Sequence, residues 1–277
     1  MTKEVGNMPV HDDLGLRMKS YYEQISKTKL MRRTPVIIRI DGKAFHTFTR
    51  GFAKPFDMVL MKSMQETTKY LCESIQGCVL GYTQSDEITL LLIDYYKFET
   101  SAWFDYEVQK MCSIAASMAT MAFNKLFKNN VDAYIRDNET GELVEIYTKA
   151  VNKGAMFDAR VFNIPKEEVT NCIYWRQLDA SRNSVQMVGQ AYFSHKQLQN
   201  KSCSNIQDML MEDYNINWND FTVPQKRGTA VIKVTKELAT EEGDQPQLRS
   251  EWMIDENIPI FKGEGREYIE KLIMVGE

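Results

Sequence analysis

The stretch TPVIIRIDGKAFHTF (residues 34–48) decides how the rest of the chain is read. Val36, Ile37, Ile38 and Ile40 form a β-branched run broken only by Arg39, the composition of a buried strand. The run ends on a carboxylate, Asp41, followed at once by Gly42. Strand alternation puts Val36, Ile38 and Ile40 on one face and Ile37, Arg39 and Asp41 on the other. An acid is thus delivered to the end of a strand, next to a residue whose backbone is open to close approach.

A second β unit follows in GCVLGYTQSDEITLLLID (residues 77–94). Two apolar runs, 78–82 and 88–93, flank a polar Thr-Gln-Ser-Asp-Glu tip, which predicts a β-hairpin carrying Asp86 and Glu87 at its turn. Between the two β units, Asp57 is placed to cap a helix over residues 57–75. A polar helix is expected over residues 12–29. A Met/Ala-rich helix over 106–127 has Met111, Ala115 and Met118 on one stripe, with Ile114 and Met121 beside it. AMFDARVFNI (residues 155–164) predicts another strand, stopped by Pro165. Residues 167–193 read as helix, with a break expected at LDASRNS, where Asp, Ser and Asn compete with the helical backbone. Beyond residue 201 a strand is expected at GTAVIKV (228–234) and a mobile acidic loop at ATEEGDQPQ (239–247).

The order β, α, hairpin, α, β predicts an α+β fold: a polymerase-palm-like, ferredoxin-like antiparallel sheet backed by helices on one face, with helical and C-terminal additions. No internal repeat or linker divides the chain, so residues 1–277 are read as one domain, with a palm-like core over about 30–165 and a helical and C-terminal part over about 166–277.

Bulk properties narrow the function. At 43% hydrophobic residues the 277-residue chain can bury a sizeable core. Its longest uncharged stretch, MCSIAASMATMAFN (residues 111–124), is too short and too rich in small residues to span a bilayer, so a cytoplasmic protein with no membrane partner is expected. Five cysteines, Cys72, Cys78, Cys112, Cys172 and Cys203, have no C-x-x-C spacing, which argues against structural zinc and a disulfide framework. The net charge of −4 gives no global attraction to nucleic acid, so such a partner must be held by local patches.

The chemistry lies in the acids. If the hairpin lies beside the first strand, Asp86 converges on Asp41. Two carboxylates about 4 Å apart repel by roughly 4 kcal/mol at an effective dielectric of 20, on the order of three pKa units. A hard divalent cation such as Mg²⁺, held by few carboxylates and otherwise by water and phosphate oxygens, would relieve that repulsion. The Gly42 carbonyl can serve as a further ligand, and the amides of Lys43, Ala44, Phe45 and His46 can line a triphosphate. Asp-Gly at a strand end also reads as an ordinary turn, and Asp-Glu at a hairpin tip as a solvated one. Their occurrence together on adjacent strands points to a site.

At these residues the sequence resembles the tRNA-histidine guanylyltransferase family, whose members polymerise in the 3′ to 5′ direction. The resemblance is carried by RIDGKAFHTF (39–48), FAKPFD (52–57) and GYTQSDEITLLL (81–92), and continues through WFDYEVQKMCSIAAS (103–117), FDARVFNIP (157–165), WRQLDASRNS (175–184) and KRGTAV (226–231). It implies that Asp41 and Asp86 coordinate two Mg²⁺ ions with the Gly42 carbonyl. It also implies that Asp41, Gly42, Lys43, Ala44, Phe45, His46, Ser85 and Asp86 hold a nucleoside triphosphate, that Glu87 is the adjacent acid, and that Lys110 faces a phosphate. GTP or another nucleoside triphosphate and ATP are the implied substrates, tRNA the implied partner, and a homotetramer the implied assembly.

One segment departs from the family. Where eukaryotic members carry HINN after the WRQ-D motif, this chain has Ser181, Arg182, Asn183 and Ser184. That makes it more similar to the bacterial and archaeal guanylyltransferase-like branch, associated with templated repair of truncated tRNA 5′ ends. Arg182, Asn183, Lys226 and Arg227 are candidate RNA contacts, together with Lys27, Lys29, Arg32, Arg33, Lys196 and Lys201. A strict tRNA(His) guanylyltransferase adding one guanosine is the alternative activity. Another palm-type nucleotidyl transferase, such as a nucleotide cyclase, is the rival within enzymes, and a non-catalytic RNA-binding protein on the same fold is the alternative from a different class.

Overall fold

The computed structural model describes residues 13–138, 140–238 and 247–275. Among them six strands, β1 (Val36–Gly42), β2 (Cys78–Gln84), β3 (Glu87–Leu92), β4 (Phe157–Asn163), β5 (Thr229–Leu238) and β6 (Gln247–Asp255), form one antiparallel sheet in the order β4-β1-β3-β2-β5-β6. The helices are α1 (Asp13–Met18), α2 (Phe45–Phe48), α3 (Met58–Ser74), α4 (Val108–Asn138), α5 (Glu142–Lys153), α6 (Lys166–Tyr192), α7 (His195–Leu198), α8 (Cys203–Tyr214), α9 (Val223–Arg227) and α10 (Glu267–Ile273). The expected α+β, palm-like arrangement of an antiparallel sheet and packed helices is what the chain forms.

The sheet is covered on both faces. Val36, Ile38, Ile40, Leu90 and Leu92 pack against α3 and α4, where Ala115 and Ala119 bring α4 close to the strands. Ile37, Leu80, Tyr82 and Leu91 pack against Val169 and Ile173 of α6 and Ile269 and Ile273 of α10. The expectation of helices on one face is corrected here. Every residue of β3 is buried, as a strand between two helical layers must be, and its apolar run Ile88–Leu92, broken only by Thr89, is the sign of that.

Local chemistry sets the elements that frame the site. Asp57 caps α3, its carboxylate accepting from the Leu60 amide at 2.9 Å, the Ala53 amide at 2.9 Å and the Tyr147 hydroxyl at 2.6 Å. One carboxylate thereby fixes both the start of α3 and the loop before it. Phe45, Phe48 and Phe52 anchor that loop against Phe123, Phe127, Phe157 and Tyr147, with ring centroids 5.1–5.8 Å apart. Each such ring contributes roughly 1.5–3 kcal/mol by burial.

Several boundaries differ from expectation. The N-terminal helix is a six-residue α-turn, Asp13–Met18, followed by a π-turn, Lys19–Glu23, and a 3-10 turn, Gln24–Ser26; Asp12 lies outside the described residues. α4 runs on to Asn138. α6 passes through LDASRNS without a break, because its polar side chains bond sideways and leave the backbone alone. Arg176 and Arg182 both pair with Asp179, and the Ser184 hydroxyl accepts from Trp218 Nε1 at 2.9 Å. β5 is longer than expected; β6 and the helices α5, α8, α9 and α10 were not anticipated. Of the acidic loop, residues 239–246 lie outside the described residues. Among the described residues no helix is long and apolar enough to cross a membrane.

Candidate active site

β1 is central in its half of the sheet, between β3 and β4, so its C-terminal end is held from both sides. Asp41 stands opposite Glu87 on β3 and Asp158 on β4. The hairpin closes in two residues, Ser85 and Asp86, with Ser85 in the left-handed region at φ 50°. The Gly42 amide donates to the Asp86 carbonyl at 3.1 Å, pinning the turn beside the strand end. Asp41, Gly42, Ser85 and Asp86 therefore border one cleft of about 710 Å³.

The floor of the cleft is the loop after β1. Ala44 takes a left-handed conformation at φ 52° and starts the short α2, whose Phe45 points into the core while His46 is exposed. Gly42 is required by packing: a Cβ there would lie 2.2 Å from Phe45 Cδ2. The Lys43 amide donates to the Met156 carbonyl at 2.8 Å, so it is not free to meet a phosphate, whereas the amides of Phe45 and His46 have no partner among the described residues. The same cleft is bordered by Arg50 and Lys54, and on the α6 side by Met187 and Gln190.

Glu87 is not in this cleft. With a two-residue turn it is no longer at the tip, as the sequence suggested, but is the first residue of β3. Its buried carboxylate takes two bonds from Arg176, Nε to Oε1 and Nη2 to Oε2, both at 2.6 Å. The pair joins α6 to the sheet. Lys110 is also elsewhere. It sits in the first turn of α4, its ammonium 4.8 Å from the centre of the Phe104 ring, whereas the part of α4 level with the cleft is Thr120, whose hydroxyl accepts from the Phe157 amide. Ten residues of helix, about 15 Å, separate the two.

The electrostatics fit a cation. Burial, and after it the charge of Asp41, push the Asp86 carboxyl above the usual carboxylate range, with Ser85 Oγ donating to Asp86 Oδ1 at 3.1 Å as a counterweight. The acids that converge here, Asp41 and Asp86, offer hard oxygen donors, and among the described residues no group of three or more His, Cys, Asp or Glu side chains gathers. Two carboxylates with a backbone carbonyl suit Mg²⁺, which keeps waters and takes substrate phosphates as its other ligands.

A second, smaller cavity of about 80 Å³ shares Asp57, Leu60, Ser85 and Met187 with the cleft and is lined further by Asn183, Ser184 and Arg227. Two of the sequence-predicted RNA residues, Asn183 and Arg227, thus come together beside Ser85. The Arg182 side chain is exposed, and the Lys226 ammonium donates to the Asn219 carbonyl. On the strand face that carries Asp41, Arg39 lies opposite Arg160, and its Nε is buried without a hydrogen-bond partner among the described residues. Arg50, Lys54 and Gln190 were missed from the sequence; Lys54 lies within FAKPFD, but nothing in its spacing marked it as a wall of the site.

The sequence profile of the tRNAHis guanylyltransferase family matches residues 16–165. Uncharacterized protein R259 of Acanthamoeba polyphaga mimivirus is 30% identical over 241 residues, covering 83% of this chain and 80% of that protein. The fold is similar to that of a bacterial tRNA(His) guanylyltransferase (Thg1)-like protein in complex with ATP, at 43% identity and TM-score 0.77, over 94% of this chain and 98% of that one. A bacterial protein of the same description in complex with GTP gives 40% identity and TM-score 0.76, over 95% of this chain and 100% of that one.

Proposed function

The chain belongs to the tRNAHis guanylyltransferase family, and on that premise we propose that it is a nucleotidyltransferase that extends the 5′ end of tRNA in the 3′–5′ direction. The observation that carries this reading is the convergence of Asp41 and Asp86 on one cleft, with the Asp86 carboxyl raised by burial and by its neighbour's charge. Asp41, Asp86 and the Gly42 carbonyl would hold two Mg²⁺ ions. When bound, these supply charge neutralisation at the phosphates and lower the pKa of the attacking hydroxyl.

The remaining work falls to the chain's own residues. The amides of Phe45 and His46, with His46, Ser85, Arg50 and Lys54, hold the triphosphate of the incoming nucleotide against the cleft floor. Gly42 lets Phe45 fold under that floor and so keeps those amides in place. The 3′-oxygen of the nucleotide forms a bond to the 5′ phosphorus of the RNA, and the bond to the leaving group breaks. A 5′-triphosphate end releases pyrophosphate; a 5′-monophosphate end first takes AMP from ATP, which releases pyrophosphate, and the attack on that activated end then releases AMP. Glu87 and Arg176 hold α6 on the sheet, and their part is positional.

Templated repair is favoured over strict addition of one guanosine. In the segment that replaces HINN, Arg182 is paired with Asp179 and Ser184 is bonded to Trp218, leaving Asn183 at the edge of the small cavity. Few groups are left there to read unpaired bases. A tRNA lacking its first 5′ nucleotide should gain whichever nucleotide complements the template base. Exchanging only the anticodon should change kcat/KM by less than about tenfold. A hundredfold loss on moving away from the histidine anticodon would place the enzyme with the strict guanylyltransferases.

A further inference from the structure

We propose that Tyr147 of α5 is a positioning residue for nucleotide binding: through Asp57, its hydroxyl holds the loop of residues 49–57 so that Arg50 and Lys54 stay at the wall of the cleft. This rests on the functional reading above. The loop joins α2 to α3 and carries both cations of that wall, yet it contains no helix or strand of its own. Its order has to come from what it packs on.

The support is α5. Leu143, Ile146, Tyr147 and Ala150 form the inward stripe of that helix at helical spacing. Three contacts run from α5 to the loop and to α2 before it. The Tyr147 hydroxyl donates to Asp57 Oδ2 at 2.6 Å, and the Tyr147 and Phe52 ring centroids lie 5.2 Å apart. Gly51, at φ 88°, passes so close to α5 that a Cβ there would lie 2.9 Å from Ile146 Cδ1. The Lys153 ammonium donates to the Thr47 carbonyl at 3.4 Å. α5 is itself fixed where it ends: Asn124 of α4 accepts from the Ala155 amide at 2.8 Å and donates to the Ala155 carbonyl at 2.9 Å.

The hydroxyl is the fastening at the loop's far end. Asp57 is 5% exposed, and its carboxylate is met by three neutral donors, the amides of Leu60 and Ala53 and the Tyr147 hydroxyl. The two amides belong to α3 and to the loop, so they tie the segment to itself. Of the three, Tyr147 alone ties it to a different element, 90 residues further along the chain. A hydrogen bond to a buried carboxylate is of the stronger kind. Without it Asp57 Oδ2 keeps one donor, and the segment carrying Arg50 and Lys54 comes loose from α5 just before α3 begins.

The test uses full-length wild type, Tyr147→Phe and Tyr268→Phe. Tyr268→Phe removes the same kind of bond, tyrosine to aspartate at 2.7 Å, from α10 on the opposite face of the sheet. The readouts are trypsin cleavage after Arg50, followed by mass spectrometry, and KM for the nucleoside triphosphate in tRNA extension. Lys54 precedes Pro55, so trypsin reads Arg50 alone in this loop. Tyr147→Phe should be cut there about five times faster than wild type, and nucleoside triphosphate with Mg²⁺ should slow the cut in both. Its KM should rise about fivefold with kcat at saturating nucleotide within about twofold of wild type. Tyr268→Phe should match wild type in both readouts even where its Tm falls as far. Wild-type cleavage and KM in a Tyr147→Phe protein that extends tRNA would overturn this inference alone. An equal change in Tyr268→Phe, or a fall in kcat with KM unmoved, would also overturn it. A wild type that nucleotide never protects and that extends no tRNA would overturn the functional reading, and with it the part given to Tyr147, however fast the variant is cut.

Discussion

Asp41 and Glu87 stand directly opposite each other on β1 and β3, yet only Asp41 borders the cleft, because Arg176 takes both oxygens of Glu87. Under the proposed function, two neighbouring acids are thereby divided between chemistry and structure. Glu87→Ala should destabilise the fold by about 3–5 kcal/mol, since it leaves the Arg176 charge buried and unpaired. Asp41→Asn should leave the urea midpoint at or above that of wild type while abolishing nucleotide transfer. Equal midpoints for wild type and Glu87→Ala would show that the pair does not join α6 to the sheet.

Asp86 sets stability against function. Its carboxyl is raised in the folded protein, so the folded state holds that proton more tightly than the unfolded one, and stability declines as pH rises through the interval between the two values. Ionised Asp86 thus weakens the metal-free fold at neutral pH. In EDTA, Asp86→Asn should raise Tm by roughly 2–4 °C, with the difference shrinking as the pH is lowered toward the acid range. Mg²⁺ should stabilise wild type and leave Asp86→Asn unchanged. A variant that melts below wild type at every pH would show that the carboxylate is not strained.

Gly42 tests the floor of the site. Its virtual Cβ lies 2.2 Å from the Phe45 ring, so Gly42→Ala must push that ring out of the aromatic cluster. A loss of about 1–3 kcal/mol is expected from the overpacking, together with a raised KM for the nucleotide. Normal kinetics in a folded Gly42→Ala protein would separate Phe45 from nucleotide binding.

Arg50 and Lys54 border the cleft and Lys110 does not, so under the proposed function the loop cations are the ones that meet the triphosphate. Arg50→Ala or Lys54→Ala should raise KM for the nucleoside triphosphate roughly tenfold, about 1.4 kcal/mol, without lowering Tm. Lys110→Ala should leave that KM unchanged. The reverse pattern, with Lys110 sensitive and both loop cations silent, would move the phosphates out of the cleft.

Much of this was legible in the sequence because it is local. The β-branched run of β1, the Asp57 cap of α3 and the hairpin are decided by residues within a few positions of each other. What was not legible depends on partners distant in the chain. The length of the hairpin turn sets whether Glu87 is a tip or a strand residue, and the choice follows from its pairing with Arg176, 89 residues away. LDASRNS stays helical in part because Trp218, 34 residues on, takes the Ser184 hydroxyl, while Asp179 is held locally by Arg176 and Arg182. Burial of the second face of the sheet was visible in the apolar run of β3, broken only by Thr89, but the helices that cover it, α6 and α10, come from beyond the predicted core.

The Asp41–Asp86 pair is the centre of the proposed chemistry. The decisive measurement is transfer of label from each α-labelled nucleoside triphosphate, with Mg²⁺, to the 5′-triphosphate end of a tRNA lacking its first nucleotide, by wild type and by Asp86→Ala shown by circular dichroism to be folded. Wild type should label the RNA with the nucleotide complementary to the template base, and Asp86→Ala should lose at least a thousandfold in rate, about 4 kcal/mol of transition-state stabilisation. Near-normal labelling by a folded Asp86→Ala protein, or label recovered from wild type only as a cyclic nucleotide, would contradict it.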